Sequence, residues 1–241
     1  MDKFYQACDD ILSEFINKMS DMKWREKGLF FTEGLAFIAM CKLYDVDTII
    51  ESGVRNGSST EMWLKYFGDD VKLYSVDFMD HMNDVRKALS RLGGYDNLKF
   101  KHGDGVKHVP RIVKSLPKGA RVAILFDGPK GMPAIATSDR CFKISKAVKF
   151  TAIHDMGQGS CLNVSKWKGK RQWKTLKLLD TYKNYIFNTD NIHFREKYAH
   201  INDNLAGEEN KEWEAAKKKY PIGCGLAFLE NDPEGTGKIN D

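Results

Sequence analysis

Two segments at the start of the chain carry apolar residues at the spacing of an amphipathic helix. In residues 2–20 the repeat includes Phe4, Ile11 and Phe15, and residues 32–44 repeat it around Leu35 and Ile38. Apolar positions three and four residues apart fall on one face of a helix. The sequence therefore predicts two leading helices within residues 1–44, which either pack on the core or form a lid.

From residue 45 to residue 155, strand-like and helix-like segments alternate. The first β-branched run lies in DTIIES, stops at a glycine turn and continues into a helix with Met62 and Trp63. Short connections between alternating strands and helices require crossovers, which produce a parallel sheet covered by helices on both faces. Further strands are predicted at 71–78, 98–100, 121–127 and 148–155, and helices near 80–92, 106–116 and 134–147.

The pattern is looser after residue 156. It predicts a basic loop, a helix near 172–182, a strand around NYIFNT, a charged helix at 207–219 and a final strand in GCGLAFLE. Two late strands after five strand–helix units suggest an antiparallel pair at one sheet edge. We expect a doubly wound α/β domain over residues 45–232, with seven mostly parallel strands, the last one antiparallel, and a frayed tail at 233–241.

Composition and charge exclude several classes of protein. The net charge of +5 is too small by itself to indicate nucleic-acid binding, and the five cysteines contain no CxxC pair. The acidic start MDKFYQACDDILSEF is unlike a signal peptide, and no run of about 18 apolar residues could span a membrane. We expect a soluble, cytoplasmic protein with reduced cysteines and no membrane partner.

Polar residues stand where each predicted strand ends. In an open parallel sheet, ligands bind beyond the carboxyl ends of the strands, so these residues are the candidates for chemistry. An acid or polar group at every strand end is more than a purely structural account requires. The residues in question are Glu51 and Gly53, Asp77, Asp104, Asp127, and His154 with Asp155.

The turn after the first strand is rich in glycine but lacks the dinucleotide fingerprint. Gly53 and Gly57 would let the backbone approach a ligand, but Arg55 occupies the second glycine position of GxGxxG, which argues against a nicotinamide cofactor. Asp77 follows about 25 residues later, where an acid binds ribose hydroxyls in nucleoside-binding α/β folds. The structural alternatives are an ordinary strand–helix turn and a cap for the helix near Asp80.

Five segments together point to a known family, and they are ESGVRNGSST, LYSVDF, HGDG, ILFDGPKG and AIHDMGQG. They resemble the class I S-adenosylmethionine-dependent methyltransferases, in particular the small O-methyltransferase branch that acts on sugars and catechols. The resemblance covers residues 45–160. It implies a Rossmann-like methyltransferase sandwich with S-adenosylmethionine as cofactor. The implied cofactor-binding residues are Glu51, Ser52, Gly53, Asn56, Gly57, Ser58, Ser59, Asp77, Phe78, Gly103, Asp104 and Asp127.

Two arrangements could remove the proton of an acceptor hydroxyl. Asp127 and Asp155 could bind Mg²⁺ or another divalent cation that lowers the hydroxyl pKa. Because Met156 follows the second acid, a further ligand would come from water, Gln158 or the acceptor. Alternatively, His154 or Asp127 acts as a general base without metal. His154 and Asp155 would point to opposite faces of a continuing strand, so only one is expected to reach the cleft unless the strand has already turned.

The acceptor is less well defined than the cofactor. Lys130 in DGPKG either neutralises a carboxylate, touches the acceptor or is a solvated turn residue, and this segment lacks the polar-Pro-Pro-aromatic signature of amine methylators. Two tryptophans, Trp167 and Trp173, lie among cations in 165–177, a composition that suits a glycan, a nucleic acid or a solvated loop.

Three functions therefore stay open: an O-methyltransferase for a small or glycan acceptor, a nucleic-acid methyltransferase, and a non-catalytic nucleotide-binding module. Nucleic acid is the less favoured partner, because basic patches that bind it are usually longer. The first helix, with Phe4, Tyr5 and Ile11, could also form the contact of a homo-oligomer.

Overall fold

The computed structural model describes residues 2–26, 28–78, 82–155, 187–188, 192–206, 211, 213–215 and 225–231. Several sequence predictions fall outside these residues. They are the helix at 172–182, the basic stretch at 165–177 with Trp167 and Trp173, the residues Met156 and Gln158, and the tail at 233–241.

Both leading helices are present. α1 is Asp2–Met19 and α2 is Phe31–Leu43. α1 buries Phe4 and Phe15 on one face, whereas α2 is buried at every position from Phe31 to Cys41. The ring of Phe37 on α2 lies 5.5 Å from that of Phe150 in the sheet, so this helix packs directly on the central layer.

Helices and strands then alternate as predicted. The elements are β1 (Thr48–Ser52), α3 (Ser58–Phe67), a 3-10 turn (Gly68–Asp70), β2 (Lys72–Asp77), α4 (Met82–Leu92), β3 (Leu98–His102), α5 (Gly105–Ser115), β4 (Val122–Phe126), α6 (Met132–Ile144), β5 (Val148–Ile153), β6 (Phe187–Asn188), α7 (Ile192–Tyr198), α8 (His200–Ala206) and β7 (Ala227–Glu230).

The strands form one sheet in the order β3-β2-β1-β4-β5-β7-β6. Strands β1 to β5 are parallel, and β7 runs antiparallel to β5 and β6. Six strands have four to six residues, whereas β6 contributes two residues at the edge. The predicted mostly parallel sheet with a late antiparallel addition is confirmed. The order reverses between β1 and β4, so a crevice is expected at their carboxyl ends.

Apolar clusters lie on both faces of the sheet. One cluster joins α1, α2 and α3 to sheet residues such as Phe150 and Phe228, and the other joins α5 and α6 to sheet residues such as Ile124 and Phe126. This two-sided burial accounts for the continuous apolar runs of β1 and β4, whose residues are all buried. The doubly wound arrangement follows from it.

Within the described residues, several elements differ from the predicted ones. α6 ends at Ile144, three residues before the predicted end at 147, because Ser145 adopts an extended backbone conformation and accepts the Ala147 N–H with its hydroxyl. Helices α7 and α8 were not predicted. Their apolar residues, among them Phe194 and Ile201, are buried in the cluster that includes α1 and α2, a contact that local periodicity cannot reveal.

Among the described residues, no helix combines the length and apolar character needed to cross a membrane. Cys8, Cys41 and Cys141 are buried free thiols. Cys161 and Cys224 lie outside the described residues.

Glu51 in β1 is fully buried beneath α3. Its Oε2 accepts hydrogen bonds from the hydroxyls of Thr60 on α3, at 2.5 Å, and of Ser75 on β2, at 3.1 Å. Burial raises the pKa of this carboxyl to about 7, although the hydroxyl donors partly oppose the shift. The folded protein therefore holds the Glu51 proton more tightly than the unfolded chain does.

The Phe150→Ala substitution should lower the free energy of unfolding by about 3–5 kcal/mol, because it removes a ring that is fully buried against Phe37, Tyr44 and Phe228. Urea unfolding measures the change. Ile144→Ala, at a side chain that is 38% exposed, is the control and should cost less than about 1 kcal/mol. Equal losses for the two variants would contradict the packing described above.

The Glu51→Gln substitution should make the protein less sensitive to alkaline pH. A folded-state pKa above the unfolded value means that wild-type stability falls as pH rises from about 4.5 through about 7. The amide retains an acceptor for Thr60 and Ser75 but carries no charge. The unfolding free energy of the variant minus that of wild type should therefore increase by about 2 kcal/mol between pH 5 and pH 8.

Urea unfolding at these two pH values tests the sign. Glu14→Gln is the control. A hydrogen bond from Lys18 lowers the pKa of Glu14, so this carboxyl is ionised at both pH values and the difference between the variant and wild type should change little between them. If the difference in unfolding free energy between Glu51→Gln and wild type did not change with pH, the raised pKa of Glu51 would be refuted.

Candidate active site

A cavity of about 740 Å³ opens at the carboxyl edge of the sheet. This volume is in the range of sites that enclose a drug-sized ligand. Its lining comes from the ends of β1, β2, β4 and β5, from the start of α5 and from the segment between α1 and α2. The lining residues are Trp24, Gly28, Phe30, Ser52, Gly53, Arg55, Val76, Asp77, Phe78, Gly103, Asp104, Gly105, Asp127, Gly128, Pro129, Lys130, His154 and Asp155.

The turn after β1 packs closely against the turn after β4. Gly53 has a φ of +98°, and a Cβ built on it would lie 2.8 Å from the Gly128 nitrogen. The Ser52 hydroxyl donates to the Gly128 carbonyl in the same region. Glycine is required at position 53 because both the left-handed backbone and the approach of the second turn exclude a side chain.

Asp77 at the end of β2 contributes to the cavity wall and also holds this turn in place. Its Oδ2 accepts the backbone N–H groups of Val54 and Arg55, at 2.7 and 2.9 Å. The next residue, Phe78, is 61% exposed although it lines the cavity, so an aromatic face stands beside a carboxylate. This combination is chemically suited to a nucleoside, because an acid can bind ribose hydroxyls and a ring can stack on a base.

Gly103 and Asp104 form a third part of the wall. Gly103 has a φ of +143°, and the Asp104 Oδ1 accepts the Val106 N–H at 2.9 Å as the N-cap of α5. This capping hydrogen bond fixes the Asp104 side chain at the N-terminus of α5. Sequence analysis assigned both residues to the cofactor, and the structure places both at the cavity.

Five residues that the resemblance implied for cofactor binding do not line the cavity. Successive side chains of a strand point to opposite faces, so Ser52 faces the cavity while Glu51 faces α3. Asn56 instead builds the turn: its Nδ2 donates to the Glu26 carbonyl and its Oδ1 accepts the Ser58 N–H. The five residues outside the lining are Glu51, Asn56, Gly57, Ser58 and Ser59.

A compact cluster of charged groups also lines the cavity. The His154 Nδ1 lies 2.7 Å from the Asp127 Oδ1 and 3.6 Å from the Asp155 Oδ1. The Lys130 ammonium lies 3.0 Å from the Asp127 Oδ1 and also contacts the Asp155 Oδ2. On its other side, the His154 Nε2 lies 3.4 Å from the Glu33 Oε2, which belongs to α2.

His154 and Asp155 both reach the cavity, which settles the question that strand alternation left open. β5 ends at Ile153, and Asp155 has a φ of +60°, so the chain turns between the two residues. The left-handed conformation brings the second side chain back to the side of the first. Sequence reasoning could not determine where the strand would stop.

The two carboxylates that flank His154 determine its charge. Burial alone would lower the pKa of His154, but Asp127 and Glu33 outweigh it and raise the pKa well above its usual value. Burial would in turn raise the pKa of Asp127, but His154 and Lys130 hold it below its usual value. These shifts favour a protonated His154 beside an ionised Asp127, whereas burial raises the pKa of Glu33.

Three of these side chains could also offer ligands to a metal ion. One ligand atom each from Asp127, His154 and Asp155 lies within 4.8 Å of the others. However, the Lys130 ammonium already contacts both carboxylates. These residues fit an internal ammonium better than a divalent cation.

Sequence analysis missed the wall that the N-terminal segment provides. Trp24 and Phe30 stack with ring centroids 6.1 Å apart, and Trp213 packs edge-on against both. Arg55, considered in the sequence only for the motif that it breaks, lines the cavity. The sequence analysis also missed Glu33. An acid in a mostly apolar helix indicates burial, but it does not reveal that its partner lies about 120 residues away along the chain.

No protein-family model matches this chain, and no curated protein matches it significantly. Similar solved structures were found. The O-methyltransferase TomG from Streptomyces achromogenes, involved in tomaymycin synthesis and in complex with SAM, is 13% identical, with a TM-score of 0.51 over 72% of this chain and 78% of that chain.

The O-methyltransferase from Bacillus cereus in complex with SAH is 12% identical, with a TM-score of 0.50 over 74% of this chain and 79% of that chain. At these identities the likeness concerns the fold. Together with the observed sheet order, it shows that the chain has a Rossmann-like α/β methyltransferase fold.

Proposed function

We propose that this protein is an S-adenosylmethionine-dependent O-methyltransferase that acts on a hydroxyl of a small acceptor, with saccharides as the acceptor class. One observation carries the proposal. Asp77, Asp104 and Asp127 line a single cavity around the Gly53 turn, at the point where the strand order of the sheet reverses. Ligands of open α/β sheets bind at this point.

One group of cavity residues, around Asp77, suits the nucleoside part of this cofactor. Asp77 offers a carboxylate to ribose hydroxyls, Phe78 offers an exposed ring to the base, and the Gly53 turn lets the backbone approach the amino-acid part. When bound, the cofactor supplies an electrophilic methyl group on a sulfonium. Arg55 adds a positive charge to this wall, which suits a carboxylate.

The charged cluster around Asp127 suits proton removal from a hydroxyl. Asp127 is the ionised group that can accept the acceptor's hydrogen bond and take its proton as the new oxygen–carbon bond forms. His154 and Lys130 both contact the Asp127 Oδ1 and hold the carboxylate in one orientation. His154 is not the base, because carboxylates face both of its nitrogens.

A saccharide is the acceptor class that the remaining wall supports. Trp24 and Phe30, which are 4% and 7% exposed, contribute aromatic atoms to the lining of the cavity that also contains Asp127 and Asp155. Aromatic rings have apolar faces that pack against sugar rings, and carboxylates accept hydrogen bonds from hydroxyls. The acceptor oxygen would be placed near Asp127 when the sugar ring rests on this aromatic surface.

The wild-type protein should bind S-adenosylhomocysteine, and Asp77→Ala should weaken binding about 100-fold. The substitution removes the carboxylate proposed to bind the ribose and releases the Val54 and Arg55 N–H groups that it holds. Isothermal titration calorimetry measures both dissociation constants. Asp69→Asn, at an exposed acid in the 3-10 turn, is the control and should bind like wild type.

Circular dichroism should show the same helix content for all three proteins. Absence of binding to wild type at millimolar ligand would contradict the proposed function. Equal affinity of Asp77→Ala and wild type would contradict the proposed role of Asp77.

Asp127→Asn should reduce kcat at least about 100-fold, because an amide cannot take the hydroxyl proton. The measurement is the release of S-adenosylhomocysteine from S-adenosylmethionine with a panel of mono- and oligosaccharides, and mass spectrometry locates the methyl group. The affinity for S-adenosylhomocysteine should change less than about threefold, which separates loss of chemistry from loss of binding. Methylation on nitrogen, or undiminished turnover by the variant, would rule out this mechanism.

A further inference from the structure

Lys130 occupies a distinctive position in the charged cluster. It lies three residues after Asp127, on the turn that follows β4, and the Gly128 N–H at the start of that turn donates to the Ser52 carbonyl at 2.9 Å. The turn directs the side chain back over the strand ends. The ammonium consequently lies against two carboxylates from neighbouring strands, Asp127 and Asp155, and its side chain is only 33% exposed.

Three of the four oxygens of these carboxylates face a nitrogen of Lys130 or His154. The Asp127 Oδ1 lies within 3.0 Å of both Lys130 and His154. The Asp155 Oδ2 contacts Lys130, and its Oδ1 lies 3.6 Å from the His154 Nδ1. A divalent cation would have to replace the ammonium as the group that bridges the two acids, since the oxygens that it needs are the ones that Lys130 contacts.

Electrostatics also favours the ammonium over a second cation at this point. Lys130 already places its positive charge against an oxygen of Asp127 and an oxygen of Asp155. A divalent cation brought beside the ammonium would be repelled by it. That repulsion is removed only when Lys130 leaves the cluster or loses its side chain.

We propose that Lys130 acts as a built-in cation that replaces a divalent metal ion between Asp127 and Asp155, so that methyl transfer by this protein is independent of metal. The inference rests on the proposed function for its catalytic part only. Lys130 is a positioning residue that holds the two acids at a fixed separation.

The test measures Mn²⁺ binding and turnover separately. Mn²⁺ is titrated into wild type, Lys130→Met and the double variant Lys130→Met/Asp155→Asn, and the fraction bound is read from electron paramagnetic resonance. Wild type should bind no Mn²⁺ up to about millimolar concentration. Lys130→Met keeps the aliphatic stem but removes the ammonium from Asp127 and Asp155. It should therefore gain a Mn²⁺ site that the double variant lacks.

Turnover of the wild type should change less than about twofold with EDTA or with added Mg²⁺. Lys130→Met should lose at least about tenfold in kcat, and Lys130→Arg, which keeps the charge, should recover part of it. A structural role alone would not create the Mn²⁺ site, and thermal melting of each variant establishes that it is folded. The control Lys143→Met, at an exposed lysine paired with Asp139, should bind no Mn²⁺ and should turn over like wild type.

Mn²⁺ binding by wild type that Asp155→Asn abolishes, or activity that EDTA removes and Mg²⁺ restores, would overturn the proposal. Absence of the new site in a folded Lys130→Met would overturn it as well. These results are distinct from failure of the proposed function. If no S-adenosylhomocysteine binding is found, the Mn²⁺ comparison still decides whether Lys130 holds the cation position.

Discussion

The site depends on backbone hydrogen bonds that extend the sheet just past the ends of its strands. The Asp127 and Gly128 N–H groups both donate to the Ser52 carbonyl, at 2.8 and 2.9 Å. The Gly103 N–H donates to the Asp77 carbonyl at 2.9 Å in the same manner. Because each loop is tied to the neighbouring strand before it turns away, the side chains at the strand ends are fixed relative to one another. A shared cavity is the consequence.

Different interactions hold the acidic residues of the cavity. Backbone N–H groups donate to Asp77 and Asp104, which suits recognition of a ligand of constant shape. Asp127 is held instead by ion pairs with Lys130 and His154. Partly buried ionic groups are tolerable only when each has partners, so loss of one member leaves an uncompensated charge near the reacting atoms. The charged cluster is therefore the part of the site most sensitive to single substitutions.

The leading helices belong to the site as well as to the core. α2 brings Glu33 to the His154 ring, and the segment before it brings Trp24 and Phe30 to the cavity wall. The buried Glu33 carboxylate also accepts the Phe30 N–H at 2.9 Å, so one side chain joins the start of α2 to the end of β5. Movement of this helix would change the environment of His154 and the aromatic wall together.

The sequence by itself determined the alternation of strands and helices and the placement of Asp77, Asp104 and Asp127 at one edge. Helical and strand periodicities are local, and parallel strands must end on the same side. Only the tertiary structure decided that Ser52 rather than Glu51 faces the cavity, since that choice depends on strand rotation against α3. It also decided the contact between Glu33 and His154, because no local pattern encodes which partners meet when distant segments pack together.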